Sequence, residues 1–239
     1  MIQIRNVTKR YGSKKVALNN VSLAIPEKST VVIAGVNGAG KSTLLKCISG
    51  LAPFEGEITI DGFLPDSVES KRKIAFCTEV PQIFDFLTLE EHIRYWAAAL
   101  KIKDWQPRAE ELYKRFRLED YVKVLGKNMS NGIKQKTSLC CAFIRNEGYF
   151  ILDEPMVGLD PYAIEELKNI INEKKDSGCT VILSTHILQS AQDIWDSMFV
   201  VDKGEIAHSA KRSESDGDIV KAFLKAGIKS GIKAEIKTA

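Results

Sequence analysis

The sequence has no long apolar run and no large excess of one charge. No stretch of about 18 apolar residues occurs in the 239 residues, so we expect no membrane-spanning segment. The first twelve residues, MIQIRNVTKRYG, lack the apolar core of a signal peptide. Lysine and arginine total 34 against 31 aspartate and glutamate, a net charge of +3. Proteins that bind nucleic acid usually have a strongly basic surface, so this balance of charges argues against a nucleic-acid partner.

Cysteine and histidine are scarce in metal-binding arrangements. The five cysteines contain no Cys-x-x-Cys pair, and only three histidines occur, so zinc is not expected. The odd number of cysteines favours reduced thiols in the cytosol. A composition of 44% hydrophobic and 27% charged residues is typical of a globular protein, and the length predicts one large or two small domains.

Short apolar segments alternate with helical patterns in the first and last thirds of the chain, which indicates parallel strands joined by crossover helices. The middle part, at about 85–146, has little strand signal, so we expect a helical subdomain there. Thr88 and Glu91 have the spacing of a capping box at the start of one helix. Strands are predicted at 1–7, 19–25, 29–34, 58–60, 148–152, 180–184 and 198–201, and helices at 41–48, 88–100, 109–116, 132–143, 161–175 and 188–196.

A glycine-rich segment follows the predicted strand at 29–34 and precedes a predicted helix. Glycines let backbone N–H groups surround an anion, and the helix N-terminus adds positive charge. Lys41 would contact the β- and γ-phosphates of a nucleotide, and the Ser42 hydroxyl would bind Mg²⁺. A kinase, a GTPase and an ATPase all remain open on this motif alone. The residues that match G-x-x-x-x-G-K-[ST] are Gly35, Val36, Asn37, Gly38, Ala39, Gly40, Lys41 and Ser42.

Two acidic residues, Asp153 and Glu154, end another apolar strand. The carboxyl end of a strand lies at the sheet edge where ligands bind. Asp153 suits Mg²⁺, and Glu154 suits an attacking water, as general base or as orienting acceptor. His186 follows a further buried strand and is a candidate for contacting the γ-phosphate. Taken alone, the acidic pair could be a solvated turn and the histidine a hydrogen-bonded surface residue.

Together these segments resemble the ATP-binding subunit of ABC transporters over about residues 1–210. The resemblance identifies 35–43, which extends to Thr43, as the Walker A loop and 151–154 as the end of Walker B. It implies an α/β fold with a RecA-like P-loop NTPase core, an N-terminal antiparallel β layer and a helical subdomain.

The same resemblance assigns further residues around the nucleotide. It implies that adenine stacks on Tyr11, that Glu154 is the catalytic carboxylate, and that His186 is the switch histidine. It also implies a D-loop at 158–160, which ends in Asp160.

The segment 129–133 resembles the signature motif of the family. This likeness implies that Ser130, Asn131 and Gly132 contact the nucleotide of a second ATP-binding subunit, identical or different, so that two chains enclose two ATP molecules head to tail. Asn131 stands where glycine is commonest.

Glu79 is a second departure, because it occupies a position where the family usually has glutamine. It would still bind Mg²⁺ or water, but it adds negative charge near the phosphates. Glu79 and Asn131 therefore leave open an alternative function, a regulatory ATP-binding module that scarcely hydrolyses.

The resemblance also implies an integral membrane permease subunit that contacts residues 80–95. Four apolar residues lie close together there: Ile83, Phe84, Phe86 and Leu87. They would form an exposed patch for a partner helix, or else pack inside the helical subdomain.

The tail at 211–239 repeats apolar residues and lysines about every fourth position. It is either a basic amphipathic segment that touches anionic lipid or a partner, or a tail that is poorly ordered or packs on the domain.

We therefore expect an ATPase on the cytoplasmic face of the membrane, which uses ATP and Mg²⁺ to power substrate movement through a separate permease, most similar to exporters. A soluble ABC-type ATPase without a membrane partner is the other alternative.

Overall fold

The computed structural model describes residues 1–12, 15–215 and 217–221. Within these ranges nine strands form a three-stranded and a six-stranded sheet, accompanied by six α-helices. The strands are β1 (Ile2–Tyr11), β2 (Lys15–Ile25), β3 (Thr30–Ala34), β4 (Glu55–Ile60), β5 (Ile74–Cys77), β6 (Tyr149–Leu152), β7 (Thr180–Thr185), β8 (Ser197–Asp202) and β9 (Glu205–Lys211). The helices are α1 (Lys41–Ile48), α2 (Val68–Lys73), α3 (Leu89–Ala99), α4 (Gln106–Phe116), α5 (Asn131–Phe143) and α6 (Pro161–Asp176). Short 3₁₀ turns cover Glu119–Tyr121, Gly126–Asn128, Leu188–Ala191 and Arg212–Glu214.

The larger sheet has the strand order β5-β6-β7-β3-β8-β9. All its neighbouring strands run parallel except β8 and β9, which are antiparallel. Every residue of β3, β6 and β7 is buried, as expected for parallel strands covered on both faces. The carboxyl ends of these three strands therefore meet at one edge of the sheet.

The smaller sheet is antiparallel, with β1 between β2 and β4. Its buried side chains pack with α1 and one face of the larger sheet in a single apolar cluster, which includes Ile4, Val21, Ile33 and Leu44. A second cluster on the opposite face of the larger sheet joins it to α3, α4, α5 and α6, with Phe143 stacked on Phe150 at its centre. The predicted fold class is confirmed.

The helical region is held by local capping as well as by packing. Thr88 and Glu91 form the predicted capping box at the start of α3: the Thr88 side chain accepts from the Glu91 N–H, and the Glu91 carboxylate accepts from the Thr88 N–H at 2.8 Å. Two of the orphan N–H groups of the helix terminus are thereby satisfied.

Some predicted elements differ in the structure. The helix predicted at 188–196 is only a 3₁₀ turn, Leu188–Ala191, because the chain soon enters β8. The elements α2 and β5 were missed because they are short, and β9 was missed because it alternates exposed with half-buried residues on the outer edge of the sheet. In the predicted tail Ile219 is fully buried against the second cluster, whereas residues 222–239 lie outside the described ranges. None of the described helices is long and apolar enough to cross a bilayer.

Thr88→Ala is expected to lower the free energy of unfolding by about 1 kcal/mol, because the N-cap acceptor is lost. Thr88→Ser keeps the hydroxyl and should stay within a few tenths of wild type. Urea denaturation of the three proteins measures this difference. Equal midpoints for the alanine and serine variants would contradict the capping role.

Candidate functional site

The glycine-rich loop lies between β3 and α1, at the edge where the parallel strands end. Two of its glycines are required by close backbone contacts. A Cβ on Gly35 would lie 2.4 Å from the carbonyl oxygen of Val201, and one on Gly40 would lie 2.6 Å from that of Ala17. Gly204 donates its N–H to the Ala39 carbonyl at 2.8 Å, so the turn between β8 and β9 fixes the loop. The sequence analysis did not identify Gly204.

Lys41, the first residue of α1, is buried at 5% exposure although it carries a charge. Its Nζ donates to the Gly35 carbonyl at 2.8 Å and lies 3.1 Å from Oε1 of Glu154. The loop thus wraps its own lysine, and the acidic residue after β6 supplies the counter-charge.

The acidic pair is fixed by a serine that the sequence analysis missed. Ser184 Oγ donates to Asp153 Oδ1 at 2.6 Å and accepts from the Glu154 N–H at 2.8 Å. Ser42 Oγ also donates to Asp153 Oδ1, at 3.0 Å. The sequence signal for Ser184 is a polar residue directly after the apolar run 181–183 of β7, and its role becomes visible once β7 pairs with β6.

Glu154 is held in an unusual position. Its φ is +46°, a left-handed conformation that costs free energy for a non-glycine residue and that clusters at functional sites. Its Oε2 lies 3.0 Å from His186 Nδ1, while Oε1 has no partner in the described chain other than Lys41 Nζ. Lys41, Glu154 and His186 are therefore brought together.

The signature segment and the D-loop form a second surface. Ser130 caps α5, accepting from the Ile133 N–H at 3.3 Å, and both Ser130 and Asn131 are exposed. A Cβ on Gly132 would lie 3.1 Å from the Gly158 carbonyl oxygen, so the two segments are in contact.

Asp160 links the D-loop to the signature helix. Its Oδ2 lies 2.7 Å from Lys136 Nζ, and its Oδ1 accepts from the Ala163 N–H at 2.9 Å. The hydrogen bond from Lys136, followed by the one from the Ala163 backbone, lowers the pKa of Asp160. Across the described residues no hydrogen bond or ion pair connects the exposed atoms of Ser130 or Asn131 with the glycine-rich loop of the same chain.

Two predicted site residues, Tyr11 and Glu79, lie outside the contacts described above. Tyr11 lies at the end of β1 with its ring exposed and with Lys9 Nζ 4.9 Å from the ring centroid. Glu79 follows β5 and is exposed; in the part of the chain that the structure describes it forms no hydrogen bond or ion pair with Ser42 or Asp153. Glu79 stands where the family usually has glutamine, and its extra negative charge therefore faces solvent.

The residues fit a Mg²⁺ ion that is shared with phosphates and water. Within the described ranges no group of three or more His, Cys, Asp or Glu side chains could hold a metal alone. Ser42 and Asp153 offer a hydroxyl and a carboxylate 3.0 Å apart. Mg²⁺ commonly takes one or two protein oxygens and completes its shell with phosphate and water.

Several known proteins are similar to this chain over most of its length. The ABC transporter family profile matches residues 18–157. The ABC-type transporter ATP-binding protein EcsA of Bacillus subtilis is 35% identical over 219 residues, which cover 90% of this chain and 88% of EcsA. The SkfA peptide export ATP-binding protein SkfE of the same organism is 32% identical over 209 residues, 86% of this chain and 87% of SkfE.

A solved structure is similar over most of its length. It is a dimeric ATP-binding cassette in a post-hydrolysis state with ADP and Pi, 28% identical, and the match has a TM-score of 0.79 and covers 88% of this chain and 98% of the other. The chain belongs to the ABC transporter family, and it is an ATP-hydrolysing, ATP-binding subunit.

Proposed function

We propose that residues 35–43 bind the phosphates of ATP and that Glu154 positions the water that attacks the γ-phosphate. The observation that carries this proposal is the buried contact of Lys41 with Glu154, beside Asp153 and Ser42. A buried lysine next to a glycine-rich loop and a helix N-terminus is suited to phosphate, and a carboxylate 3.1 Å away is suited to a water bound beside that phosphate.

ATP binding changes the partner of Lys41. Its Nζ moves from Glu154 Oε1 to the phosphates, where positive charge stabilises the transferring phosphoryl group. Glu154 Oε1, which has no other partner in the described chain, then accepts a hydrogen bond from water. His186 stays on Oε2 and orients the carboxylate. General-base catalysis of this kind contributes about 10²–10⁴-fold.

Mg²⁺, held by Ser42 and Asp153, would neutralise charge that develops on the β- and γ-phosphates. Tyr11 would stack on adenine at the open side of the site, and Glu79 would reach the metal or its water only through a change of side-chain conformation. The exposure of both residues in the structure allows these roles.

A second ATP-binding subunit would complete each site. Ser130, Asn131 and Asp160 are exposed, and in the described part of the chain no hydrogen bond or ion pair connects Ser130 or Asn131 with the chain's own phosphate loop. A helix N-terminus such as the one at Ser130 is suited to phosphate. The similar cassette that was solved with ADP and Pi is a dimer. We infer a head-to-tail arrangement in which this surface of one chain covers the ATP of the other.

A membrane permease would dock next to the helical region. Phe84 and Phe86 are 51% and 76% exposed, whereas Ile83 and Leu87 are half-buried. The two phenylalanines therefore lie on the surface, and the other two apolar residues are partly packed inside the helical region. Exposed apolar side chains of this size favour a protein partner. Such docking would place the chain on the cytoplasmic face of the membrane, and similarity to SkfE, whose name states peptide export, favours an exporter.

Glu154→Gln is expected to lower ATP hydrolysis at least tenfold, because the neutral amide is a poor acceptor for the water's proton. The same variant should still bind ATP and sediment as a dimer in its presence. Phosphate release and sedimentation velocity measure the two effects.

Glu165→Gln is the matched control, since Glu165 is exposed on α6 and, among the described residues, forms an ion pair with Lys168 alone. Equal hydrolysis by wild type and Glu154→Gln would contradict the proposed role and favour a regulatory module that scarcely hydrolyses. A Glu154→Gln protein that stays monomeric with ATP at high concentration, with its membrane subunit present, would contradict the shared site.

Ser184→Ala is expected to lower kcat about tenfold, because Asp153 and the Glu154 backbone lose the hydroxyl that fixes them. Ser49→Ala is the matched control: Ser49 is also buried, but its Oγ donates only to the Leu45 carbonyl, away from the site. Each substitution should cost about 1–3 kcal/mol in unfolding free energy. If both variants keep the wild-type kcat, Ser184 is structural only.

A further inference from the structure

Lys9 lies in β1, two residues before Tyr11, and it is buried although it carries a charge. Only 9% of the residue is exposed. Its ammonium Nζ lies over the Tyr11 ring, 4.9 Å from the ring centroid. A cation within about 6 Å of the centroid is attracted to the face of an aromatic ring. Lys9 therefore contacts the side chain on which adenine is proposed to stack.

The other buried lysines of the described chain each have an oxygen partner. The pairs are Lys41 with Glu154 at 3.1 Å, Lys136 with Asp160 at 2.7 Å and Lys174 with the Arg145 carbonyl at 2.9 Å. Lys9 differs from them, because among the described residues its ammonium forms no hydrogen bond and no ion pair. Burying a charge costs free energy unless a partner compensates. The partner that the structure gives to Lys9 is the Tyr11 ring.

The charge of Lys9 is also close to α1, the helix that begins at the glycine-rich loop. Burial raises the pKa of the Cys47 thiol in this helix to about 11, and the nearby Lys9 charge opposes that rise. Lys9 is thus near both the helix and the Tyr11 ring. Tyr11 is 44% exposed, so part of its surface stays open to a ligand.

We propose that Lys9 is a positioning residue, which holds the Tyr11 ring in the orientation that adenine needs for stacking. The ammonium lies over one face of the ring, and adenine would stack on the opposite face. Fixing the ring before ATP arrives lowers the conformational entropy that binding would otherwise cost. This inference rests on the proposed stacking of adenine on Tyr11, and it adds a residue that acts through Tyr11 without touching the nucleotide.

Calorimetric titration with ATP and Mg²⁺ tests the role of Lys9 in the Glu154→Gln background, where hydrolysis is slow. Lys9→Met keeps an unbranched side chain and removes the charge, so we expect the affinity for ATP to fall about two- to fivefold. Lys9→Arg keeps a cation over the ring and should stay within about twofold of its parent. Lys174→Met is the control, because Lys174 is equally buried and lies over the Phe150 ring at 5.4 Å. It should leave the affinity unchanged.

Removal of the ring separates a positioning role from a general structural one. Because Lys9 acts through Tyr11, Lys9→Met should cause no further loss of ATP affinity when it is combined with Tyr11→Ala. Combined with Tyr11→Phe, which keeps the ring, Lys9→Met should still weaken ATP binding about two- to fivefold. An equal loss in the presence and absence of the ring would overturn the proposal.

Tripolyphosphate, which lacks adenine, distinguishes an effect on the ring from a direct contact with phosphates. Lys9→Met should bind tripolyphosphate as tightly as its parent does. In the protein that hydrolyses ATP, the same substitution should raise KM about two- to fivefold and change kcat less than about twofold. A loss of tripolyphosphate affinity as large as the loss for ATP would show that Lys9 binds phosphate and would overturn the positioning role.

Failure of this inference and failure of the proposed stacking give different results. If Tyr11→Ala weakens ATP binding and Lys9→Met does not, Lys9 has no positioning role and the stacking on Tyr11 stands. If Tyr11→Ala leaves the affinity for ATP unchanged, the stacking and the role of Lys9 are both overturned. The role of Glu154 is measured separately, by phosphate release, and neither result affects it.

Discussion

The ion pair of Lys41 with Glu154 is the interaction on which the site depends. Neither charge is stable in a buried position alone, and each is held by a different element: Lys41 by α1 and Glu154 by the end of β6. The pair therefore couples the phosphate loop to the acidic residues before any ligand is present. In the proposed mechanism, phosphates replace Glu154 as the partner of Lys41, and the Glu154 carboxylate then becomes available to the attacking water.

The parallel sheet brings these residues together. The site residues are distant in the sequence, but they follow β3, β6 and β7. The carboxyl ends of these three strands lie at one edge of the sheet. Ser184 adds a cross-link between neighbouring strands, because one hydroxyl contacts both Asp153 and the backbone of Glu154. The surface around Ser130 and Asp160 is built separately, by α5 and the start of α6, which suits a role toward another chain.

The sequence predicted the features that depend on local spacing. The glycine-rich loop, the capping box of Thr88 and Glu91, and the bounds of α1 all follow from residues close in the chain. It could not predict features that arise from pairing or packing. Ser184 acts across two strands, and β5 and β9 are defined by their neighbours.

The most direct test of the central claim is the affinity for ATP when the charge of Lys41 is removed without stranding Glu154. Calorimetric titration would compare Glu154→Gln with the double variant Lys41→Met/Glu154→Gln. The account predicts that the double variant binds ATP at least about tenfold more weakly, because a charge-assisted hydrogen bond contributes about 1.5–3 kcal/mol. Equal affinities would show that the phosphates do not bind at Lys41 and would contradict the account.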